Sequence, residues 1–178
     1  DVDGDGDLDA FVANYGQGNV LWLNDGAGTY TDSGQSLGNS YSTDVALGDL
    51  DGDGDLDAFV ANENQANVVW LNDGAGTYAD SGQSLGSGSS RAVALGDVDG
   101  DGDLDAYVAN YGQGNVIWLE AWVGTYADSG QSLGNSYSTD VALADVDGKS
   151  YILNMNGSSY RLKETMEWLA KHNKGQPV

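Results

Sequence analysis

The residues best suited to chemistry in this sequence are aspartates, which alternate with other residues in three short segments. The first segment reads Asp-Val-Asp-Gly-Asp-Gly-Asp-Leu-Asp, and the pattern returns twice. We call residues 1–9, 49–57 and 97–105 the acidic loops. Five carboxylates within nine residues repel one another strongly unless a cation lies between them. The spacing therefore predicts a metal site in each acidic loop.

The chemistry of the acidic loops favours calcium over other metals. Carboxylates stand at loop positions 1, 3, 5 and 9, with a glycine at position 6, where calcium loops of the EF-hand type bend sharply. Position 7 would contribute its backbone carbonyl. Ca²⁺ takes six to eight oxygen ligands, Mg²⁺ requires a tighter octahedron, and Zn²⁺ prefers His and Cys, which the loops lack. We predict about one Ca²⁺ per loop, or about three per chain. The candidate metal-binding residues are the five aspartates of each loop: Asp1, Asp3, Asp5, Asp7, Asp9, Asp49, Asp51, Asp53, Asp55, Asp57, Asp97, Asp99, Asp101, Asp103 and Asp105.

The residues that follow each acidic loop exclude an EF-hand. Position 12 of an EF-hand loop is a bidentate glutamate on an exiting helix. Here that position holds Val12, Val60 or Val108. The segment after each loop is short and apolar, which predicts a strand.

The sequence repeats with a period of 48 residues, which predicts an all-β fold of propeller-type blades. Unit two (49–96) matches unit one (1–48) at 37 of 48 positions, and unit three (97–144) matches unit one at 40. Apolar runs and turn residues predict four short strands in each unit. In unit one these are 9–13, 19–23, 29–32 and 44–48. Four strands in about 40–50 residues are typical of a propeller blade, and a β-solenoid is the competing architecture.

One stretch of the repeat carries a specific family resemblance. Residues 45–62 read Val-Ala-Leu-Gly-Asp-Leu-Asp-Gly-Asp-Gly-Asp-Leu-Asp-Ala-Phe-Val-Ala-Asn, and residues 69–78 read Val-Trp-Leu-Asn-Asp-Gly-Ala-Gly-Thr-Tyr. This resembles the FG-GAP/VCBS repeat, an extracellular family that builds integrin-type propellers, and the resemblance covers residues 1–148. It implies calcium in a hairpin loop between two blade strands. The side-chain ligands it implies in unit two are Asp49, Asp51, Asp53 and Asp57.

Composition excludes several classes of partner. The formal net charge of −22 opposes binding to nucleic acid or to anionic membranes, which relies on Lys and Arg. No apolar run approaches the roughly 18 residues of a membrane span, so membrane insertion is not expected. No signal-peptide pattern is present at the start of the chain. Cysteine is absent, which excludes disulfides and thiol chemistry.

The composition changes at Lys149. A fourth repeat begins at 145–148 and stops, and Lys149 stands where a third aspartate would be, so no metal site is predicted there. We predict a repeat array over 1–148 and a non-repeat basic tail over 149–178. Apolar spacing predicts an amphipathic helix over 160–173, which would cap the array or bind a partner.

Unit three also departs from the other two units in one turn. Glu120-Ala121-Trp122-Val123 replaces the Asn-Asp-Gly-Ala of the other units. The change is expected to remove a favourable turn and to expose two apolar residues.

Three units are too few for a closed propeller, which has about four to eight blades. Open edges are liable to associate with other strands. We therefore expect further repeats to complete the array, or other copies of the chain in a dimer or filament. An extracellular protein or glycan ligand is the other expected partner.

No catalytic residues are predicted. Gly-x-Ser-x-Gly occurs around Ser36, Ser84 and Ser132, but a nucleophile elbow needs a strand before it and a helix after it. Loop-forming residues follow instead, and the one histidine, His172, lies in the tail.

The function predicted first is a non-catalytic, calcium-binding extracellular repeat module, secreted or on a cell surface, for adhesion, ligand binding or scaffolding. Calcium would hold the acidic loops in place. The alternatives are a self-assembling surface or filament protein and a carbohydrate-binding module of a secreted enzyme.

Overall fold

Every regular element in the described part of the chain is a β-strand. The computed structural model of the protein describes residues 1–145 and 150–156. The helix predicted at 160–173 lies outside the described residues. The strands are β1 (Ala10–Val12), β2 (Val20–Asn24), β3 (Tyr30–Asp32), β4 (Ser42–Gly48), β5 (Asp57–Asn62), β6 (Val68–Asn72), β7 (Tyr78–Asp80), β8 (Ser90–Gly96), β9 (Asp105–Asn110), β10 (Val116–Trp122), β11 (Thr125–Asp128), β12 (Ser138–Asp145) and β13 (Ser150–Asn156). The predicted all-β class is confirmed.

The strands form antiparallel meanders of the kind predicted for blades. Two sheets have four strands each, in the orders β4-β5-β6-β7 and β8-β9-β10-β11. The described chain adds a three-stranded sheet, β1-β2-β3, and a two-stranded sheet, β12-β13. Each four-stranded sheet starts with the last strand of one unit and continues with three strands of the next. Because all neighbouring strands are antiparallel, the solenoid alternative is wrong.

The second strand of each four-stranded sheet lies in the centre of the fold. All six residues of β5 and all six of β9 are buried. The first strands of successive sheets pack against one another, with β8 in contact with both β4 and β12. Apolar residues therefore meet between sheets. One cluster joins Phe59 and Val69 of one sheet to Val108, Trp118 and Tyr126 of the next.

The pairing pattern continues into the segment predicted as a tail. Strand β13 pairs with β12 from Ser138↔Asn156 to Asp145↔Ser150, with a register shift between Ser138 and Asp140. The same kind of shift occurs between Ser42 and Asp44 where β4 pairs with β5. Strand β13 therefore takes the place of a second blade strand.

Unit three keeps a tight turn despite its altered sequence. Strand β10 runs to Trp122, which pairs with Thr125 of β11. The two residues between them, Val123 and Gly124, have positive φ values of 47° and 72°. Positive φ at both central residues is the requirement of a type I′ hairpin turn, so the expected loss of the turn is wrong. The expected exposure is confirmed, with Trp122 79% and Val123 63% exposed.

Candidate metal centre

The fold places the acidic loops at one end of the sheets. The loop of unit two joins β4 to β5, and the loop of unit three joins β8 to β9. The loop of unit one leads directly into β1. Because the connected strands are antiparallel, the loops of units two and three each close a hairpin, at the same end of their sheets.

The first three aspartates of each loop converge. In every loop, oxygen atoms of positions 1, 3 and 5 all lie within 4.8 Å of one another. The three groups are Asp1, Asp3 and Asp5; Asp49, Asp51 and Asp53; and Asp97, Asp99 and Asp101. The spacing of the sequence thus brings together three of the four side chains predicted to bind metal.

Backbone hydrogen bonds hold these carboxylates in the loop. Asp49 Oδ1 accepts from the N–H of Gly52 at 2.8 Å, and Asp49 Oδ2 accepts from that of Gly54 at 3.1 Å. Asp53 Oδ1 accepts from the N–H of Asp55 at 2.9 Å. Gly54 has φ of 98°, a conformation that residues with a Cβ rarely adopt. The glycine at loop position 6 therefore makes the predicted bend.

The ninth aspartate of each loop accepts hydrogen bonds from two backbone N–H groups. Asp57 is fully buried, and its two carboxylate oxygens accept from the N–H groups of Leu50 and Asn72, both at 2.8 Å. Asp9 binds Val2 and Asn24 in the same way, and Asp105 binds Val98 and Glu120. This side chain ties the start of the loop to the end of the third blade strand. Burial raises the pKa of Asp57 to about 6.

The seventh aspartate packs against the next turn of its own unit. A Cβ added to Gly74 would collide with the Asp55 carboxylate, and one added to Gly26 would collide with that of Asp7. The side chain at position 7 in these two units therefore lies beside a turn glycine. In unit three the corresponding Asp103 lies beside Glu120 instead.

Three further kinds of side chain support the loops or the turns beside them, and sequence reasoning did not single them out. Tyr78 donates from its hydroxyl to the carbonyl of Leu56 at 2.6 Å. Asn72 donates from its side chain to the carbonyl of Val2, in the preceding acidic loop, at 2.8 Å. Gln35 of unit one donates to the carbonyl of Gly76 and accepts from the N–H of Tyr78. The recurrence of the tyrosine and the glutamine in all three units, and of the asparagine in the first two, was the available signal.

The donor atoms fit a hard divalent cation. All three side chains that converge in a loop offer carboxylate oxygens, the ligands that Ca²⁺ prefers. Among the residues described, no ion pair involves the carboxylate of a first, third or fifth loop aspartate. Burial and the neighbouring Asp53 carboxylate raise the pKa of Asp51. The converging carboxylates therefore repel one another, and a cation would relieve that repulsion.

The segment around Ser36 does not form a nucleophile elbow. Ser36 lies between β3 and β4, and those two strands belong to different sheets. The segment therefore joins one strand to another, and the helix that an elbow requires after the serine is absent there.

Comparison with known families agrees with this architecture. Residues 1–60 and 49–108 each match the FG-GAP-like repeat, so that two overlapping copies cover more than half of the chain. The chain belongs to the FG-GAP-like repeat family. Repeats of this family typically occur in extracellular proteins. A comparison with curated proteins gave no match. Within the described ranges, no helix has the length and apolar character needed to cross a membrane.

Proposed function

We propose that the chain is a non-catalytic extracellular module whose acidic loops bind calcium, and that the calcium-stabilised array serves adhesion, ligand binding or scaffolding. The observation that carries the proposal is the convergence of three carboxylates within 4.8 Å in each of three loops. Asp49, Asp51 and Asp53 would hold the ion in unit two, with equivalent residues in the other units. When bound, the ion supplies the positive charge that the loops lack.

A calcium titration by calorimetry, after exhaustive treatment with EDTA, tests this proposal. We expect about one ion per loop and a melting temperature that rises with calcium, because an ion that binds the folded state stabilises it. Asp53→Asn should remove one ion. Asp80→Asn is the matched control, because Asp80 is an exposed aspartate outside the acidic loops whose carboxylate accepts from the N–H of Gly82. Absence of both heat and stabilisation in the unaltered protein would refute the proposal.

Glycan binding is a second candidate, favoured by exposed tyrosines at the other end of the blades. Tyr15 stacks on Tyr41 with ring centroids 4.7 Å apart, and Tyr111 packs on Tyr137 at 4.6 Å. Tyr15 and Tyr111 lie in connections between second and third blade strands, and Tyr41 and Tyr137 immediately precede the first strands β4 and β12, at the end opposite the acidic loops. All four rings are exposed. Exposed aromatic rings with polar hydroxyls suit the apolar faces of sugars.

Unit two connects the two tyrosine pairs through charged residues. The hydroxyl of Tyr15 donates to Glu63 at 2.7 Å, and Glu63 pairs with Arg91. The Arg91 guanidinium lies 5.2 Å from the centroid of Tyr111, a cation–π distance. A glycan array probes this surface, with Tyr41→Ala and Tyr137→Ala as variants. Binding that both variants retain would count against the tyrosine surface.

A further inference from the structure

A cavity between units two and three contains a carboxylate that the acidic loops do not include. Its volume is about 230 Å³, and its walls include Leu50 and Asp51 of one unit and Asp103, Glu120 and Val123 of the next. Glu120 is only 4% exposed. Its Oε1 accepts from the N–H of Thr125 at 3.3 Å, while its Oε2 is buried and has no hydrogen-bond partner. A buried carboxylate oxygen without a donor or a cation is unfavourable.

A second carboxylate faces Glu120 at the same place. The side chain of Asp103 neighbours Glu120, and both residues line the same cavity. Two carboxylates offer four acceptor oxygens and no donor. A cation between them would give both carboxylates the positive partner that the cavity lacks.

Comparison with unit two shows which hydrogen-bond donor is missing at Glu120. In unit two the residue equivalent to Glu120 is Asn72, whose side-chain N–H donates to the carbonyl of Val2 in the preceding loop. The carbonyl equivalent to that of Val2 belongs to Leu50, which lines the cavity. An ionised glutamate cannot donate a hydrogen bond to the carbonyl of Leu50. Acceptors thus face each other across the cavity where units one and two have a donor and an acceptor.

We propose that this cavity binds one divalent metal cation, held by the carboxylates of Glu120 and Asp103 and by the backbone carbonyl of Leu50. Calcium accepts carboxylate, carbonyl and water oxygens together, and the cavity has room for water ligands. The cavity borders the converging aspartates of unit two, since Asp49 and Asp51 also line it, but the three proposed ligands are not among those aspartates. The site deepens the proposed function and rests on it only for the identity of the cation.

Calcium stoichiometry of the full chain, compared with that of Glu120→Asn, tests the site. The substitution introduces the residue that units one and two carry at this position. We expect Glu120→Asn to bind one ion fewer and to retain all loop ions, while Asp80→Asn binds as many as the unaltered chain. Equal binding by the unaltered chain and Glu120→Asn, with the loops filled, would overturn the inference and leave a shared proton between the two carboxylates.

The same comparison separates this inference from the proposed function. If only the proposed function is wrong, the unaltered chain binds a single ion that Glu120→Asn loses. If both are wrong, neither protein binds calcium. Should the variant fail to fold, crystals of the unaltered chain soaked in Mn²⁺ decide the matter. An anomalous peak between Glu120 and Asp103 supports the site, and peaks confined to the acidic loops refute it.

Discussion

Units one and two place the same residues in different surroundings. Tyr30 and Tyr78 both donate to the carbonyl of loop position 8, yet Tyr30 is 45% exposed and Tyr78 only 6%. The ring of Tyr78 packs edge-on against Phe11 of unit one, with centroids 5.5 Å apart. Tyr126 packs in the same way on Phe59. Burial in this fold therefore depends on contacts between neighbouring units, as expected of a repeat array.

The largest expected effect comes from removing the phenylalanine that packs against a tyrosine of the next unit. Phe59→Ala should lower the free energy of unfolding by about 3–5 kcal/mol, because Phe59 is fully buried between two sheets. Phe11→Ala should cost clearly less, because Phe11 is only partly buried. Urea unfolding of both variants measures the difference. Equal losses would show that burial by the neighbouring unit does not control stability.

Calcium should affect the two units equally, since their loops share one pattern of hydrogen bonds. Asp5→Asn and Asp53→Asn should each lose one ion. At calcium concentrations 100 times the dissociation constant, each loss should cost about 2.7 kcal/mol. In EDTA neither variant should be less stable than the unaltered protein, because one repelling carboxylate has been removed. Calorimetry gives the ion count and thermal melting the stability. A loss confined to one unit would contradict the equivalence.

The buried carboxylate of unit two should make metal-free stability depend on pH. The pKa of Asp57 is about 6 in the folded protein and about 3.9 when unfolded. The folded state therefore binds more protons between these values, and stability should fall as pH rises through about 6. We expect a contribution on the order of 2 kcal/mol to stability near pH 4, lost by pH 7. Urea unfolding across this range in EDTA should show a flatter profile for Asp57→Asn than for Asp80→Asn. Parallel profiles would exclude Asp57 as the source.

The smallest expected effect concerns the tyrosine hydroxyls. Tyr78→Phe removes a donor to the carbonyl of Leu56 and should cost about 1 kcal/mol. Tyr30→Phe removes the equivalent bond at an exposed position, where water replaces the donor, and should cost less. Chemical unfolding of both proteins in saturating calcium measures this. A greater loss for Tyr30→Phe would reverse the comparison.

Local patterns predicted the strands and the loops well. The predicted strand at 19–23 corresponds to β2, Val20–Asn24, and the predicted strand at 44–48 falls within β4, Ser42–Gly48. The alternation of apolar and polar residues and the turn residues act over a few positions, so the sequence of a single unit was enough to predict its strands. The convergence of loop positions 1, 3 and 5 also follows from local spacing, because the intervening glycines let the chain bend tightly.

The roles that depend on distant contacts were not predictable in this way. Spacing placed Asp57 among the predicted metal ligands, which stays a prediction, but it gave no sign that Asp57 Oδ1 accepts from the N–H of Asn72, a contact set by how β6 ends beside the loop. The partner of Asn72 lies 70 residues away in the chain. Glu120 appeared only as a change in a turn, and its significance depends on a cavity formed by two units. Such roles require the register between sheets, which no local pattern contains.

The glutamine that joins successive units has a consequence for proteolysis. Gln35 holds the backbone of Gly76 and Tyr78 with both ends of its amide, and Gln83 holds Gly124 and Tyr126. A protease needs the chain to detach locally before it can cleave. The turn at 73–77 is fastened by the unit before it, whereas the equivalent turn at 25–29 has no such fastening among the described residues. Loss of the Gln35 amide should therefore open the turn at 73–77 to digestion, and loss of the Gln83 amide should do the same for the turn around Gly124.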